Sequence, residues 1–211
     1  MKKNKKNLVG LTFIEMIMAI SMFTIGIAGF TLLFIKTWSI NSYTIEMGRS
    51  SMIASQGVNK IVNYLRRTKQ GDNGAYAIQS ANGNDLIVFC DYNKDEVTER
   101  IHLYKSGQNI LMGVTVPTDT IPKTYPSGDQ TIITITSYVV NDAGSPIFSF
   151  YNADYPADSV NNPMTTPASV ADIRLVKINL IINSNPTRFQ NNIDLQSFVE
   201  MRNLNDYNQI D

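Results

Sequence analysis

Residues 16–35 read MIMAISMFTIGIAGFTLLFI, 20 consecutive uncharged and mostly apolar residues closed by Glu15 on one side and Lys36 on the other. No other feature restricts the fold of this chain as strongly. In hydrocarbon a backbone has to satisfy its own hydrogen bonds, so an α-helix is expected, and 20 residues of helix span about 30 Å, the thickness of a bilayer core. Lys2, Lys3, Lys5 and Lys6 lie ahead of the run with no acid among residues 1–10, whereas Lys36 stands alone at its exit. The positive-inside rule then keeps the N-terminus in the cytoplasm and sends everything after Lys36 outward. Trp38, just past the exit, reads as an interfacial anchor beside Lys36.

A cleaved secretory signal is the plainest alternative, but three features disagree with it. The apolar run exceeds the usual signal core of about 7–15 residues. It ends in Phe34-Ile35-Lys36-Thr37 rather than in small residues. An acid, Glu15, also stands at its head, and a carboxylate in an inserted segment is costly enough to be a functional suspect.

Composition removes most other classes. With 43% hydrophobic and 17% charged residues the chain is globular rather than disordered. One cysteine excludes an intrachain disulfide and a cysteine-built zinc cage, and one histidine excludes a multi-histidine metal site. Eighteen basic residues against 18 acidic ones argue against a general nucleic-acid binder. Without the four leader lysines, 14 basic face 18 acidic residues, a net −4 for the remainder.

The segment KKNKKNLVG-LTFIE resembles the processing site of type IV prepilins and the related pseudopilins: a short basic leader, a glycine at the cut, and a glutamate five residues beyond it. The resemblance implies cleavage after Gly10 by a prepilin peptidase on the cytoplasmic face and N-methylation of Leu11. Leu11 stands where the family most often has phenylalanine. Glu15 becomes the fifth mature residue, with a role in assembly. The physical reason is direct. Cutting after Gly10 creates a cationic amine at Leu11, and the Glu15 carboxylate of a neighbouring subunit can pair with it at the edge of an apolar bundle. Two further stretches are similar to minor pilins and to J-type pseudopilins of type II secretion: LIVFCDYNKDEVTERIHLYKSGQNILM, and the close around Phe198, Arg202 and Asn203. Together with the apolar run, the three touch about a third of the chain.

Past the membrane run the pattern stays helical. Ile40, Thr44, Met47, Ser51, Ala54, Val58, Ile61 and Leu65 recur at alternating spacings of four and three. The helix is expected to run from Leu11 to Lys69, about 90 Å, and to stop at Gly71-Asp72-Asn73-Gly74. Its second half is expected to dock on a sheet. Beyond it, strands are expected at 76–79, 85–90, 98–105, 109–116, 131–140, 147–151, 173–182 and 195–202. No helix-length crossover separates the first of these, which favours an antiparallel meander. Proline-rich stretches 117–129 and 154–168 read as surface loops. The fold class is α+β, with a long N-terminal helix packed on a C-terminal antiparallel sheet domain, as in pilins. Its parts are a leader (1–10), a transmembrane segment (11–36), an amphipathic continuation (37–70) and an extracytoplasmic β-rich domain (71–211).

The acidic turn Asp91-Tyr92-Asn93-Lys94-Asp95 places oxygens at alternate positions, and Glu99 falls at position 9 of an EF-type loop. Asp91, Asn93, Asp95 and Glu99 are therefore candidate calcium ligands. Against this, Glu96 occupies the place of the turn glycine and His102 that of the closing glutamate, and an Asx-rich hairpin explains the same residues. Cys90 ends an apolar strand and reads as core. His102 has no second histidine with which to build a site. No nucleophile elbow, phosphate loop or dinucleotide fingerprint is present, so a non-enzymatic protein without a cofactor is expected. The leading expectation is a minor pilin or pseudopilin in the cytoplasmic or inner membrane, which after processing primes or caps a type IV pilus or secretion pseudopilus. Its partners would be prepilin peptidase, other pilin or pseudopilin subunits and the membrane, with no nucleic acid. The competing expectation is a membrane-tethered extracellular binding module, calcium-dependent if the turn holds an ion, that does not polymerise.

Overall fold

The structure, a computed structural model, describes residues 10, 12–184, 192–201 and 204. Helix α1 (Phe13–Arg66) leads into eight strands: β1 (Ile78–Asn82), β2 (Asp85–Cys90), β3 (Glu99–Ser106), β4 (Asn109–Thr115), β5 (Thr131–Ser137), β6 (Phe148–Tyr151), β7 (Leu175–Ile182) and β8 (Ile193–Glu200). The chain divides into two compact units, Met1–Glu46 and Met47–Asp211. In the first, α1 is apolar and exposed, and by length and composition it is long and apolar enough to cross a membrane.

In the second unit α1 buries Ser50, Ala54, Gly57, Val58, Ile61, Val62 and Leu65. Of the expected stripe, Ala54, Val58, Ile61 and Leu65 are buried, Met47 is intermediate, and Ile40, Thr44 and Ser51 are exposed, with Ser50 buried in place of Ser51. A strict seven-residue spacing drifts about 20° per heptad on a 3.6-residue helix, so the expected stripe leaves the buried face when traced backward from Leu65. Ser50 is tied down by a hydrogen bond from its Oγ to Ser184 Oγ, 2.8 Å away. The helix ends at Arg66, three residues short of the expected Lys69. Tertiary pairing stops it. Thr68 forms a β-bridge with Cys90, the Lys69 amide donates to the Phe89 carbonyl at 2.9 Å, and the Arg67 guanidinium donates to the carbonyls of Asp91 and Tyr92.

Strands β1 to β5 form the expected antiparallel meander in the order β1-β2-β3-β4-β5. Strands β6, β7 and β8 form a second antiparallel sheet. The division falls after β5, which ends at Ser137 rather than continuing to Val140. Tyr138 takes a φ of 65°, outside the β region, and redirects Val139 to a bridge with Ile182 of β7. β1 begins two residues later than expected, with a register shift between Ile78 and Ser80. β8 is matched residue for residue to β7, from Leu175 opposite Glu200 to Ile182 opposite Ile193. That pairing sets its described ends, while the expected final residue, Arg202, lies outside the described residues.

One hydrophobic cluster joins the helix, both sheets and the loop residue Ala168. Val176, Ile178, Leu180 and Ile182 alternate into it along β7, each fully buried, as the period-two pattern requires. Each such aliphatic side chain contributes about 1.5–3 kcal/mol by leaving water. The fold is thus α+β, with the second half of a long helix packed on antiparallel sheet.

Candidate anchoring and assembly site

The start of α1 is held by its own side chains. Thr12 Oγ1 accepts from the Glu15 amide at 3.4 Å, while the Glu15 carboxylate accepts from the Thr12 amide and hydroxyl, both at 2.8 Å. This is a capping box, satisfying amides that a helix N-terminus otherwise leaves orphaned. Its signature, Thr-x-x-Glu before an apolar run, is legible in the sequence. Gly10 is exposed, and Leu11 lies outside the described residues, as do the leader lysines.

From Phe13 onward the large apolar side chains face outward, Phe13 at 80% exposure and Met22 at 74%. Ser21, Thr24 and Thr31, the hydroxyl residues within 16–35, each donate to the carbonyl four residues back, at 2.8, 2.8 and 2.9 Å. A hydroxyl bonded in this way presents no unmet donor to an apolar solvent. Phe30, Phe34 and Trp38 form a ladder with ring centroids 6.5 and 6.2 Å apart, ending beyond the exposed Lys36. The surface is suited to burial in lipid or against other apolar helices, and it carries no reactive group.

The acidic turn is closed by its own backbone. Asp91 Oδ1 accepts from the amides of Lys94 (2.5 Å) and Asp95 (3.2 Å), and its Oδ2 from that of Glu96 (3.2 Å). Lys94 and Glu96 take φ of 69° and 73° to aim these amides, so the bend is made without the glycine such loops favour. Desolvation works against the Asp91 anion, but these amides and the Arg67 guanidinium outweigh it and hold its carboxyl below the usual range. Asp95 accepts from the Val97 amide and the Asn93 side chain. Glu99 is 1% exposed, accepts from the Tyr92 amide at 3.2 Å, and has its carboxyl pushed up by burial. Among the described residues no three His, Cys, Asp or Glu side chains are placed to hold a metal ion. The geometry fits the Asx-turn reading better than a calcium cage. Millimolar calcium is therefore expected to leave the melting temperature of the full chain in detergent unchanged. A rise that grows with calcium concentration would establish an ion at this turn.

Cys90 is fully buried, and burial pushes its thiol up to about 12, so it serves as core and not as a nucleophile. His102, which the sequence leaves isolated, lies between the carboxylates of Asp85 and Asp129. Both acids are distant in sequence and no local pattern announces them. Comparison with protein-family models, with curated proteins and with solved structures gives no match.

Proposed function

We propose that this chain is a minor pilin or pseudopilin, a non-enzymatic subunit that is processed by a prepilin peptidase and primes or caps a membrane-anchored filament. One observation carries the reading: a lysine leader, Gly10, Glu15 and a 20-residue apolar run coincide at the required offsets within the first 36 residues. The exposed apolar helix with its internally bonded hydroxyls and the antiparallel sheet domain are what such a subunit needs, and both support it. In this reading the leader stays in the cytoplasm, helix residues after Leu11 sit in the membrane before assembly, and the same apolar surface packs against neighbouring subunits afterwards. The partners are the peptidase and other pilin-like subunits. The chemistry is insertion, one proteolytic cut, one methylation and packing.

Mass spectrometry of the N-terminus, on protein isolated from cells that carry the assembly system, tests this proposal. A methylated Leu11 is the expected result. A chain that retains Met1 would instead make it a tethered module that never polymerises.

A further inference from the structure

His102 lies in the middle of β3, where Ile101 and Leu103 on either side are fully buried and the histidine faces the opposite side of the sheet. Its cross-strand neighbours are Ile87 on β2 and Gly113 on β4. Nε2 is 2.8 Å from Asp85 Oδ2, at the head of β2, and Nδ1 is 3.0 Å from Asp129 Oδ2, two residues before β5. Asp129 ends a strap, residues 117–129, that crosses the same side. Its carboxylate lies so close above Gly113 that any Cβ there would collide with it. The Tyr104 ring stacks on the imidazole with centroids 4.4 Å apart. Arg100, two residues back on β3, is turned to the strap, where its Nη2 donates to the Gly128 carbonyl at 2.6 Å and to Thr115 Oγ1 at 3.1 Å. The titratable and charged groups around the ring are thus Asp85, Asp129, Arg100 and Tyr104. β4 offers Gly113 and Thr115, and β5 offers Ile132 opposite Gly113.

A neutral imidazole has one N–H and one lone pair, and only the imidazolium donates from both nitrogens. Here both nitrogens face carboxylate oxygens. We propose that His102 is a proton-operated clamp between the head of β2 and the end of the strap. Charged, it donates to Asp85 and Asp129 together, and both bonds are charge-assisted. When it gives one proton to water, a single uncharged donor remains and a lone pair faces the other carboxylate. Asp129, with its side chain 15% exposed, keeps that donor, because Asp85 at 41% is the carboxylate that water can take over. The head of β2 follows the turn whose Gly83 carbonyl accepts from the Phe148 amide at 2.8 Å, so loosening there reaches the second sheet.

Hydrogen exchange of the full chain in detergent, at pH 5 and pH 8, tests the clamp, with rates corrected for chemical exchange and β7 peptides as the folded reference. pH 5 to 8 brackets the range in which histidines change charge. Peptides covering residues 81–87 and 126–130 are expected to exchange roughly tenfold faster at pH 8 in the wild type, with the larger change at 81–87. His102→Gln is expected to abolish the difference. Equal protection at the two pH values in the wild type, or a difference that survives in His102→Gln, overturns the proposal. If His102→Gln loses the β7 protection, Asp85→Asn decides: it is expected to remove the pH dependence at 81–87, and an unchanged dependence there overturns the clamp.

Discussion

Replacing Glu15 with glutamine is expected to leave the chain inserted and folded but to cut its incorporation into filaments by roughly tenfold or more, the order expected when a close charge pair is lost from an interface. The substitution isolates charge from shape. Glutamine serves at the third helical position of a capping box as glutamate does, so the bonds that Glu15 makes to Thr12 have a neutral replacement. What glutamine cannot supply is an anion for the amine that cleavage after Gly10 would expose on a neighbouring subunit. Quantifying the variant in sheared filaments against its level in the membrane fraction gives the ratio directly. Normal incorporation at normal membrane levels would leave Glu15 with capping alone and remove the assembly role from the proposed function.

The second large effect concerns the fold itself. A Cβ at Gly57 would stand 2.7 Å from Thr136 Cβ and 2.9 Å from its Oγ1, nearer than non-bonded atoms approach. Thr136 is 4% exposed on β5 and its Oγ1 donates to the Ile53 carbonyl of α1 at 3.4 Å, so neither partner has room to withdraw. Gly57→Val is expected to destabilise the second unit by about 2–3 kcal/mol, lowering the melting temperature by roughly 5–10 °C. Gly48→Ala is the control. Nothing lies within 4 Å of a Cβ there, and the helix is expected to gain up to about 1 kcal/mol from the change. Gly57→Val,Thr136→Ala should recover part of the loss, since the shortened side chain relieves the crowding. Unaltered melting of Gly57→Val would mean that helix and sheet do not approach as closely as described.

Gly57 and Gly48 both stand within α1, and only the approach of β5 separates them. The same contrast runs through the molecule. The buried alternation along β7 and the meander of the first five strands were legible because each depends on residues near one another in the chain. The stripe on α1 was legible from Ala54 to Leu65, whereas Ile40, Thr44 and Ser51, placed on the same stripe by the period, are exposed. The second sheet was not anticipated, because its separation depends on Tyr138 turning the backbone toward a β7 partner that comes 43 residues after Val139, at Ile182. The capping box, by contrast, is local, with Thr12 and Glu15 three residues apart.

Short-range physics made the N-terminal half readable: an apolar run, its flanking charges and a helical period act through neighbours a turn apart, and the chain states them in order. Sequence alone therefore determined the exposed apolar helix, its continuation and the switch to antiparallel strands. Tertiary structure decided where the helix stops, why glycine stands at 57, that the acidic turn closes on its own amides, and that His102, 17 residues from Asp85 and 27 from Asp129, lies between two acids. Those outcomes depend on which distant segments pack together, and packing is settled by the whole core at once.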